Sequence, residues 1–292
     1  MWIDSHCHLQ APEFDADRAT VWQEACALGV RDMLVPAVGL ADCALVGACC
    51  ARHSGLHPAY GIHPLYVGQA AESDLNGLNA LLKSARPVAI GEIGLDGLVA
   101  DVDFARQEFF FIAQLKLARA FDLPVVLHVR KAIDTVLKHL RRIRVRGGIA
   151  HAFNGSRQQA DEFLRLGFKL GFGGSLTYAG STRIRSLAQN LPEEALALET
   201  DAPDIPPCWL NRGNRMNADE TSHHAFCEAQ RSIPLLHPHK GRGVIDHRER
   251  NTPAQLPAIG AVLAELRATS VEHIASVTRQ NTLAALSLIL AP

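Results

Sequence analysis

Short apolar segments of strand length alternate with helical segments along most of this chain, and no other feature restricts its fold as strongly. Eight apolar segments recur, at 2–8, 31–38, 58–64, 87–94, 123–129, 147–153, 167–174 and 195–200. Helical segments lie between them, for example at 17–28, 41–53, 104–121, 131–142, 156–166 and 181–190. Consecutive strands joined by helical crossovers are parallel, so the alternation predicts a parallel sheet.

Eight strand–helix units predict an α/β fold of the (β/α)8 TIM-barrel type. The chain has 292 residues, of which 48% are hydrophobic, and this is enough for one large α/β domain or two smaller ones. An open, doubly wound sheet is the alternative architecture, but no Gly-x-Gly-x-x-Gly motif follows the first strand to support it. We therefore predict a single TIM-barrel domain over residues 1–292.

One polar segment interrupts the alternation. Residues 211–250 show neither strand nor helix periodicity, and they contain five of the fourteen histidines. We predict that this segment is a long insertion on the rim of the barrel, mobile or partly disordered.

Composition argues against several functional classes. Lys and Arg total 29 against 30 Asp and Glu, a net charge of −1, so no overall field favours a nucleic-acid coat or a membrane surface. The seven cysteines form no Cys-x-x-Cys pair, which indicates reduced thiols. The first residues do not resemble a signal peptide, and no apolar run approaches the roughly 18 residues of a membrane span. We predict a soluble, cytoplasmic protein with no membrane contact and no stable protein partner.

The stretch IDSHCH places two histidines, His6 and His8, one residue apart near the start of the chain. In a strand, residues i and i+2 share a face, so both imidazoles point one way and Cys7 points the other. Two neighbouring imidazoles can ligate one cation if a carboxylate balances the charge. Alone, the pair is weak evidence for a metal.

Further ionisable residues follow the other apolar segments. Glu92 belongs to the fourth segment, His128 to the fifth and His151 to the sixth, and Asp201 follows the eighth. Each of them alone is more often a core, surface or capping residue than a ligand. In a TIM barrel, however, the carboxyl ends of the strands meet on the face that carries active sites. Four histidines and two carboxylates on that face suit two divalent cations.

Two more residues are candidates for substrate contact on the same face. His63 in GIHP ends the third apolar segment, and Arg130 lies two residues beyond His128. Either one can contact a substrate phosphate, Arg130 as a clamp; the alternatives are a turn histidine and a surface charge. The basic run KHLRRIRVR at 138–146 is more typical of solvated charge at a helix end than of a nucleic-acid patch.

These motifs, taken in order, resemble a known family. IDSHCH, GIHP, GEIGLD, LPVVLHVR, HAFNGS and ETDAP are similar in order and spacing to the TatD family of metal-dependent deoxyribonucleases. ETDAPDIP and GGSLTY resemble its YjjV-like branch. The resemblance covers the chain except 211–250, and it implies a TIM-barrel hydrolase of the amidohydrolase-like superfamily.

The resemblance also implies roles for the six residues. His6 and His8 would bind one metal, His128 and His151 a second, and Glu92 would bridge both. Asp201 would ligate the first metal and accept the proton of the attacking water. The implied reaction is hydrolysis of phosphodiester bonds in DNA, commonly as a 3′-to-5′ exonuclease acting on single strands or 3′ ends. Two divalent ions per subunit are expected, of Zn, Mn, Mg, Ni or Co.

The chain departs from the family in one place. The Arg-Asn-x-Pro element that usually follows ETDAP after a short loop occurs here at 250–253, beyond the polar segment. Either Arg250 and Asn251 still lie near the site, or the insertion covers it.

Two other functions fit the same residues. A small-molecule amidohydrolase or lactonase could use the same metal site on a C–N or lactone bond, because the fold and metal centre serve many reactions. A non-catalytic metal-binding scaffold that recruits a partner through 211–250 is the third reading. Under the hydrolase readings no side chain acts as nucleophile, so Cys7 is predicted to be dispensable.

Overall fold

A computed structural model describes residues 1–98, 103–210 and 250–288. Within them, eight parallel strands pair in chain order to form one sheet. The strands are β1 (Trp2–Asp4), β2 (Val30–Pro36), β3 (Leu56–Tyr60), β4 (Ala89–Asp96), β5 (Val125–Arg130), β6 (Gly148–Ala150), β7 (Phe168–Phe172) and β8 (Leu196–Leu198). The Ser5 N–H donates to the carbonyl of Leu198 at 2.9 Å, and this bond brings the first strand against the last. The predicted (β/α)8 barrel is confirmed.

Helices connect the strands on the outside of the barrel. They are α1 (Arg18–Ala27), α2 (Leu40–Cys50), α3 (Asp74–Ala85), α4 (Phe104–Phe121), α5 (Ile133–Arg142), α6 (Arg157–Arg165), α7 (Thr182–Asn190), α8 (Leu256–Leu266) and α9 (Val271–Leu286). The sequence marks α3 only weakly, because Gly77 interrupts it and Leu78 and Leu82 are its only buried residues. Each connection is a helical crossover, as parallel strands require.

The barrel has an apolar interior layer below the functional end. Inward side chains from six strands form it: Leu34, Ala59, Ala89, Val126, Ile149 and Ala197. Leu286 of α9 packs against the same layer. Because side chains alternate along a strand, the residues two positions after Val126 and Ile149 also point inward. His128 and His151 therefore lie directly above this packed apolar layer.

Strand β4 is irregular where it carries Glu92. Its register against β5 shifts between Ile90 and Ile93, and both isoleucines belong to the outer core between sheet and helices. An irregularity of this kind re-aims a side chain, and such features recur beside active sites. Here it directs Glu92 into the barrel between two outward-facing residues.

The predicted rim insertion, 211–250, lies outside the described residues except for Arg250, so its placement stays a prediction. None of the helices in the described part of the chain is long and apolar enough to cross a bilayer.

Candidate metal centre

The eight side chains singled out in the sequence converge at the carboxyl ends of the strands. They are His6, His8, His63, Glu92, His128, Arg130, His151 and Asp201. Seven of them line one cleft of about 660 Å³, which we call the metal cleft. His6 lies fully buried and reaches the others from below.

The two histidines of IDSHCH share a side although β1 ends at Asp4, before either of them. The chain stays pinned beyond β1, because the Cys7 N–H donates to Leu34 and the His8 N–H to Ala202, at 3.1 and 2.8 Å. The Nε2 atoms of His6 and His8 are 3.2 Å apart. Cys7 points the other way and is fully buried in the core, as the alternation predicts.

Glu92 stands at the centre of the cluster, and its two oxygens face different histidines. Oε2 lies 3.1 Å from His6 Nε2 and 3.5 Å from His8 Nε2. Oε1 lies 3.0 Å from His128 Nδ1 and 3.8 Å from His151 Nε2. One carboxylate therefore separates the histidines into two groups while touching both.

Asp201 closes the cluster from the β8 side. Its Oδ1 lies 3.5 Å from His6 Nε2 and 3.7 Å from His8 Nε2, and its Oδ2 lies 3.9 Å from His151 Nε2. Its backbone has a φ of 54°, in the left-handed region that only a few per cent of residues other than glycine adopt. The Asp201 N–H donates to the carbonyl of His6 at 2.8 Å, which helps to hold this conformation.

The donor atoms are spaced as the ligands of divalent cations are. A cation bonded to nitrogen and oxygen at about 2.0–2.2 Å holds neighbouring ligand atoms roughly 3–3.5 Å apart. His6, His8 and Asp201 form one group whose ligand atoms lie 3.2 to 3.7 Å from one another. Two further compact groups contain Glu92, one with His6 and His151 and one with His63 and His128. The residues present fit a metal centre.

The predicted pairing of His128 with His151 on one cation is less compact than the first group. Their ring centroids are 6.2 Å apart, whereas the ring of His151 stacks on that of His6 at 3.9 Å. Both nevertheless face the same oxygen of Glu92. The assignment of His151 to the second metal stays a prediction.

Three of the histidines have an acceptor on the nitrogen that faces away from the cluster. His8 Nδ1 lies 3.2 Å from the carbonyl of Pro36, His151 Nδ1 lies 3.1 Å from Glu199, and His128 Nε2 lies 3.0 Å from Asp96. An acceptor there fixes the proton on that nitrogen and leaves the other lone pair for a metal. This is the usual environment of a metal-ligating histidine.

His63 has the opposite arrangement. Its Nδ1 accepts a hydrogen bond from the backbone N–H of Leu65 at 3.1 Å, so the proton of the neutral ring resides on Nε2. That Nε2 lies 3.5 Å from Glu92 Oε1 and points into the metal cleft. His63 belongs to one of the compact groups and could therefore ligate a metal. Its hydrogen bonding instead favours donation from Nε2–H to an anion.

Sequence reasoning did not single out the carboxylates behind these histidines. Asp96 and Glu199 are almost fully buried, as is Asp4, which accepts from the Thr200 hydroxyl at 2.5 Å. All three lie inside the quoted motifs GEIGLD, ETDAP and IDSHCH. The available signal was their position within apolar strands, because a carboxylate buried there requires a partner.

Burial and charge shift the pKa values of the cluster. Burial lowers the pKa of His6 to about 4. Burial opposes protonation of His151 as well, but the carboxylates of Asp201 and Glu199 outweigh it and raise its pKa to about 10. Burial raises the pKa of Asp201 to about 6. The buried carboxylates of Asp201 and Glu199 thus favour positive charge beside them. A divalent cation would supply that charge.

The chain returns to the site directly after the polar segment. Asn251 is fully buried, and its Nδ2 donates to the carbonyls of Thr200 at 2.8 Å and Asp204 at 2.7 Å. Arg250 instead stacks over Phe14, with its guanidinium carbon 4.5 Å from the ring centroid. Asn251 therefore anchors the loop that carries Asp201, while the Arg250 side chain packs on the outside of the barrel nearby.

Arg130 lies at the edge of the cleft rather than within the cluster. Its side chain is half exposed, and Nη1 donates to Asp96 Oδ2 at 3.1 Å. Asp96 thus orients both the His128 ring and the Arg130 guanidinium.

Comparison with known proteins places these residues in context. The family model described as TatD-related DNase matches residues 3–287. The uncharacterized metal-dependent hydrolase YjjV of Escherichia coli (strain K12) is 35% identical over 284 residues, which are 96% of each chain. The crystal structure of YjjV, a TatD homolog, superposes with a TM-score of 0.82 at 34% identity, covering 99% of this chain and 98% of that one. The 3′-5′ ssDNA/RNA exonuclease TatD of Pantoea sp. (strain At-9b) is 33% identical over 213 residues, 70% of this chain and 80% of that protein.

Proposed function

The chain belongs to the TatD-related DNase family, and from that membership and the geometry of its cleft we propose that it is a metal-dependent hydrolase of phosphodiester bonds in DNA. We propose further that it acts as a 3′-to-5′ exonuclease on single strands or 3′ ends. The 3′-5′ ssDNA/RNA exonuclease named above, a relative at 33% identity, supports the choice of substrate.

The observation that carries the proposal is the double-sided contact of Glu92. Its oxygens face His6 and His8 on one side and His128 and His151 on the other. We assign His6, His8 and Asp201 to one divalent cation, His128 and His151 to a second, and Glu92 to both. When bound, such cations act as Lewis acids on phosphoryl oxygens and lower the pKa of a coordinated water.

Asp201 is the proton acceptor in this account. Its carboxylate lines the metal cleft and is among the least enclosed of the acidic groups in the cluster, with 11% of the side chain exposed. Burial raises its pKa above the ordinary range of a carboxyl group, which strengthens it as a proton acceptor. Glu199 and Asp96 hold ring nitrogens and are less available for that role.

His63 and Arg130 are the residues that would contact the phosphoryl oxygens. The Nε2–H of His63 points into the cleft as a donor, and the guanidinium of Arg130 lies at its edge. Donors aimed at developing negative charge stabilise a phosphoryl-transfer transition state. Neither residue needs to bind a metal to do so.

Digestion of a 5′-labelled single-stranded oligonucleotide by the Mg- or Mn-loaded protein tests the proposal. We expect stepwise shortening from the 3′ end that EDTA abolishes. Asp201→Asn should lower the rate by about 10²- to 10⁴-fold, the usual contribution of a general base.

Asp122→Asn is the matched control for that variant. Asp122 also has a positive φ, 50°, but its side chain is 81% exposed at the end of α4. The Asp122→Asn protein should digest the oligonucleotide at the same rate as the unmodified protein. No cleavage by protein carrying bound metal would contradict the proposal and leave the small-molecule hydrolase as the better account.

A further inference from the structure

A second cleft lies beside the metal cleft on the same face of the barrel. It has a volume of about 620 Å³, and we call it the rim cleft. Val129, Arg130, Ala152 and Ile205 line both clefts, so the two are continuous. Each has a volume in the range of small-ligand sites.

The charged side chains of the rim cleft are mainly positive. Arg130, Lys131 and Arg183 line it, against the single carboxylate of Asp134. Asp134 is already engaged, because its Oδ1 accepts a hydrogen bond from the Gln159 amide at 2.8 Å. The rim cleft is therefore suited to an anion.

The side chains of Lys131 and Arg183 are exposed and make no hydrogen bond or ion pair with any residue in 1–98, 103–210 or 250–288. Lys131 also has a left-handed backbone, with a φ of 52°. Its loop is fixed by the bond from the Gly97 N–H to the carbonyl of Arg130 at 2.7 Å. The fixed loop therefore presents a free cationic side chain at the edge of the rim cleft.

The remaining wall of the rim cleft is mixed in character. Asn154 and Ser175 supply an amide and a hydroxyl, and Ile133 and Ile184 supply partly buried apolar surface. A nucleotide has the matching parts, since its phosphate is charged, its base carries polar edges and its sugar and base faces are apolar.

We propose that the rim cleft binds the strand of a single-stranded nucleic acid next to the bond being cleaved, with Lys131 and Arg183 on its phosphates. This inference rests on the proposed function, because it assigns a role to the part of the same substrate that the metal cleft does not hold. Arg130 lines both clefts, so it lies between the scissile phosphate in the metal cleft and the neighbouring nucleotide in the rim cleft. The rim cleft would then set the preference for longer strands over a dinucleotide.

The test compares dithymidylate, which has one phosphodiester, with single-stranded hexathymidylate. The unmodified protein, loaded with Mn, should cleave the longer substrate with the higher kcat/KM at low salt. In Lys131→Gln/Arg183→Gln, kcat/KM for hexathymidylate should fall about ten-fold more than for dithymidylate. For hexathymidylate, the slope of log(kcat/KM) against log salt concentration should be shallower by about 1.4 in this double variant. Each contact to a single-strand phosphate contributes about 0.7 to that slope, and two contacts are removed.

A second double variant controls for loss of surface charge. Arg119 and Arg142 lie in the last turns of α4 and α5, at the opposite end of the barrel, and both are exposed. Arg119→Gln/Arg142→Gln removes the same charge and should behave as the unmodified protein on both substrates. An equal effect of the two double variants, or an equal loss on both substrates, would overturn the assignment.

Binding separates this inference from the proposed function. Anisotropy of fluorescein-labelled hexathymidylate is measured with the same metal-loaded proteins, in the Asp201→Asn background if the strand is cleaved. If no phosphodiester is hydrolysed, the proposed function fails, yet weaker binding by Lys131→Gln/Arg183→Gln alone would still support the rim cleft. Equal binding by both double variants would overturn it whether or not the protein is a nuclease.

Discussion

The metal cleft and the rim cleft share a wall but hold their charged side chains in different ways. In the metal cleft the carboxylates of Glu92 and Asp201 are buried within reach of several imidazoles. In the rim cleft Lys131 and Arg183 are exposed and have no partner among the residues that the structure describes. Buried groups that hold one another in place are suited to catalysing a reaction. Exposed, unpaired charges instead contribute to the affinity for a charged substrate and make that affinity depend on salt concentration.

Apart from Asp201→Asn, the largest effect should follow from Glu92→Gln, because this change removes the charge that joins the two histidine groups. We expect the rate to fall on the order of 10³-fold, with bound metal lost as well. Metal content and turnover are measured together.

Glu108→Gln is the control for Glu92→Gln. Glu108 also pairs with a buried histidine, His139, at 2.6 Å, but it lies on α4 outside the barrel. The Glu108→Gln protein should retain its bound metal and its turnover. Full activity of Glu92→Gln at normal metal content would show that the metal cleft is not the reactive one.

An intermediate effect should follow from Glu199→Gln, which leaves every proposed ligand in place. Glu199 accepts from the Ala152 N–H and holds His151 Nδ1 at 3.1 Å. Loss of such a partner lowers metal affinity by about 10- to 100-fold. Titration of activity with Mn should show this shift, with kcat largely recovered at saturating metal. A variant whose metal affinity is unaltered would make Glu199 a purely structural residue.

A smaller effect should follow from Arg130→Gln, at the boundary between the two clefts. The change removes one half-exposed charge that donates to Asp96 at 3.1 Å. One lost charge-assisted contact to a phosphate corresponds to about a ten-fold change, which we expect in kcat/KM. Steady-state kinetics on dithymidylate and hexathymidylate would measure it, and an unchanged kcat/KM on both substrates would contradict this placement.

The smallest effect should follow from Cys7→Ala, although Cys7 lies between two proposed ligands in the sequence. Its thiol is fully buried on the far side of the chain from the cleft, and burial raises its pKa well above the ordinary value. We expect a stability loss of about 1 kcal/mol and turnover within about three-fold, because the change removes only packing and the weak thiol hydrogen bond to the carbonyl of Ala202 at 3.7 Å. Thermal unfolding and kinetics at equal metal content check both, and abolished turnover would make the thiol a participant.

Much of this arrangement could be predicted from the sequence, because strand ends in a parallel barrel share one face. Apolar segments ending in His128 and His151 were enough to place both side chains together. The sequence predicted that Glu92 lies on this face, but it did not predict the irregular register between Ile90 and Ile93 that turns the side chain inward.

Other features depend on contacts that no local pattern encodes. The proton position on His63 follows from a backbone N–H two residues away, and the rim cleft joins Lys131 after β5 to Arg183 in α7. Asn251 reaches the loop that carries Asp201 only after the chain has passed through 211–249. Such long-range contacts appear only when the barrel is assembled.

Metal counting is the most direct test of the account. The purified protein, stripped of metal and then equilibrated with Mn or Zn, would be analysed by elemental analysis and by calorimetric titration. The account predicts two ions per chain for the unmodified protein and for Glu108→Gln, and a loss of bound metal in Glu92→Gln. One ion per chain or fewer in the unmodified protein, or the same metal content in both variants, would contradict the assignment of the buried histidine–carboxylate cluster as a two-metal centre.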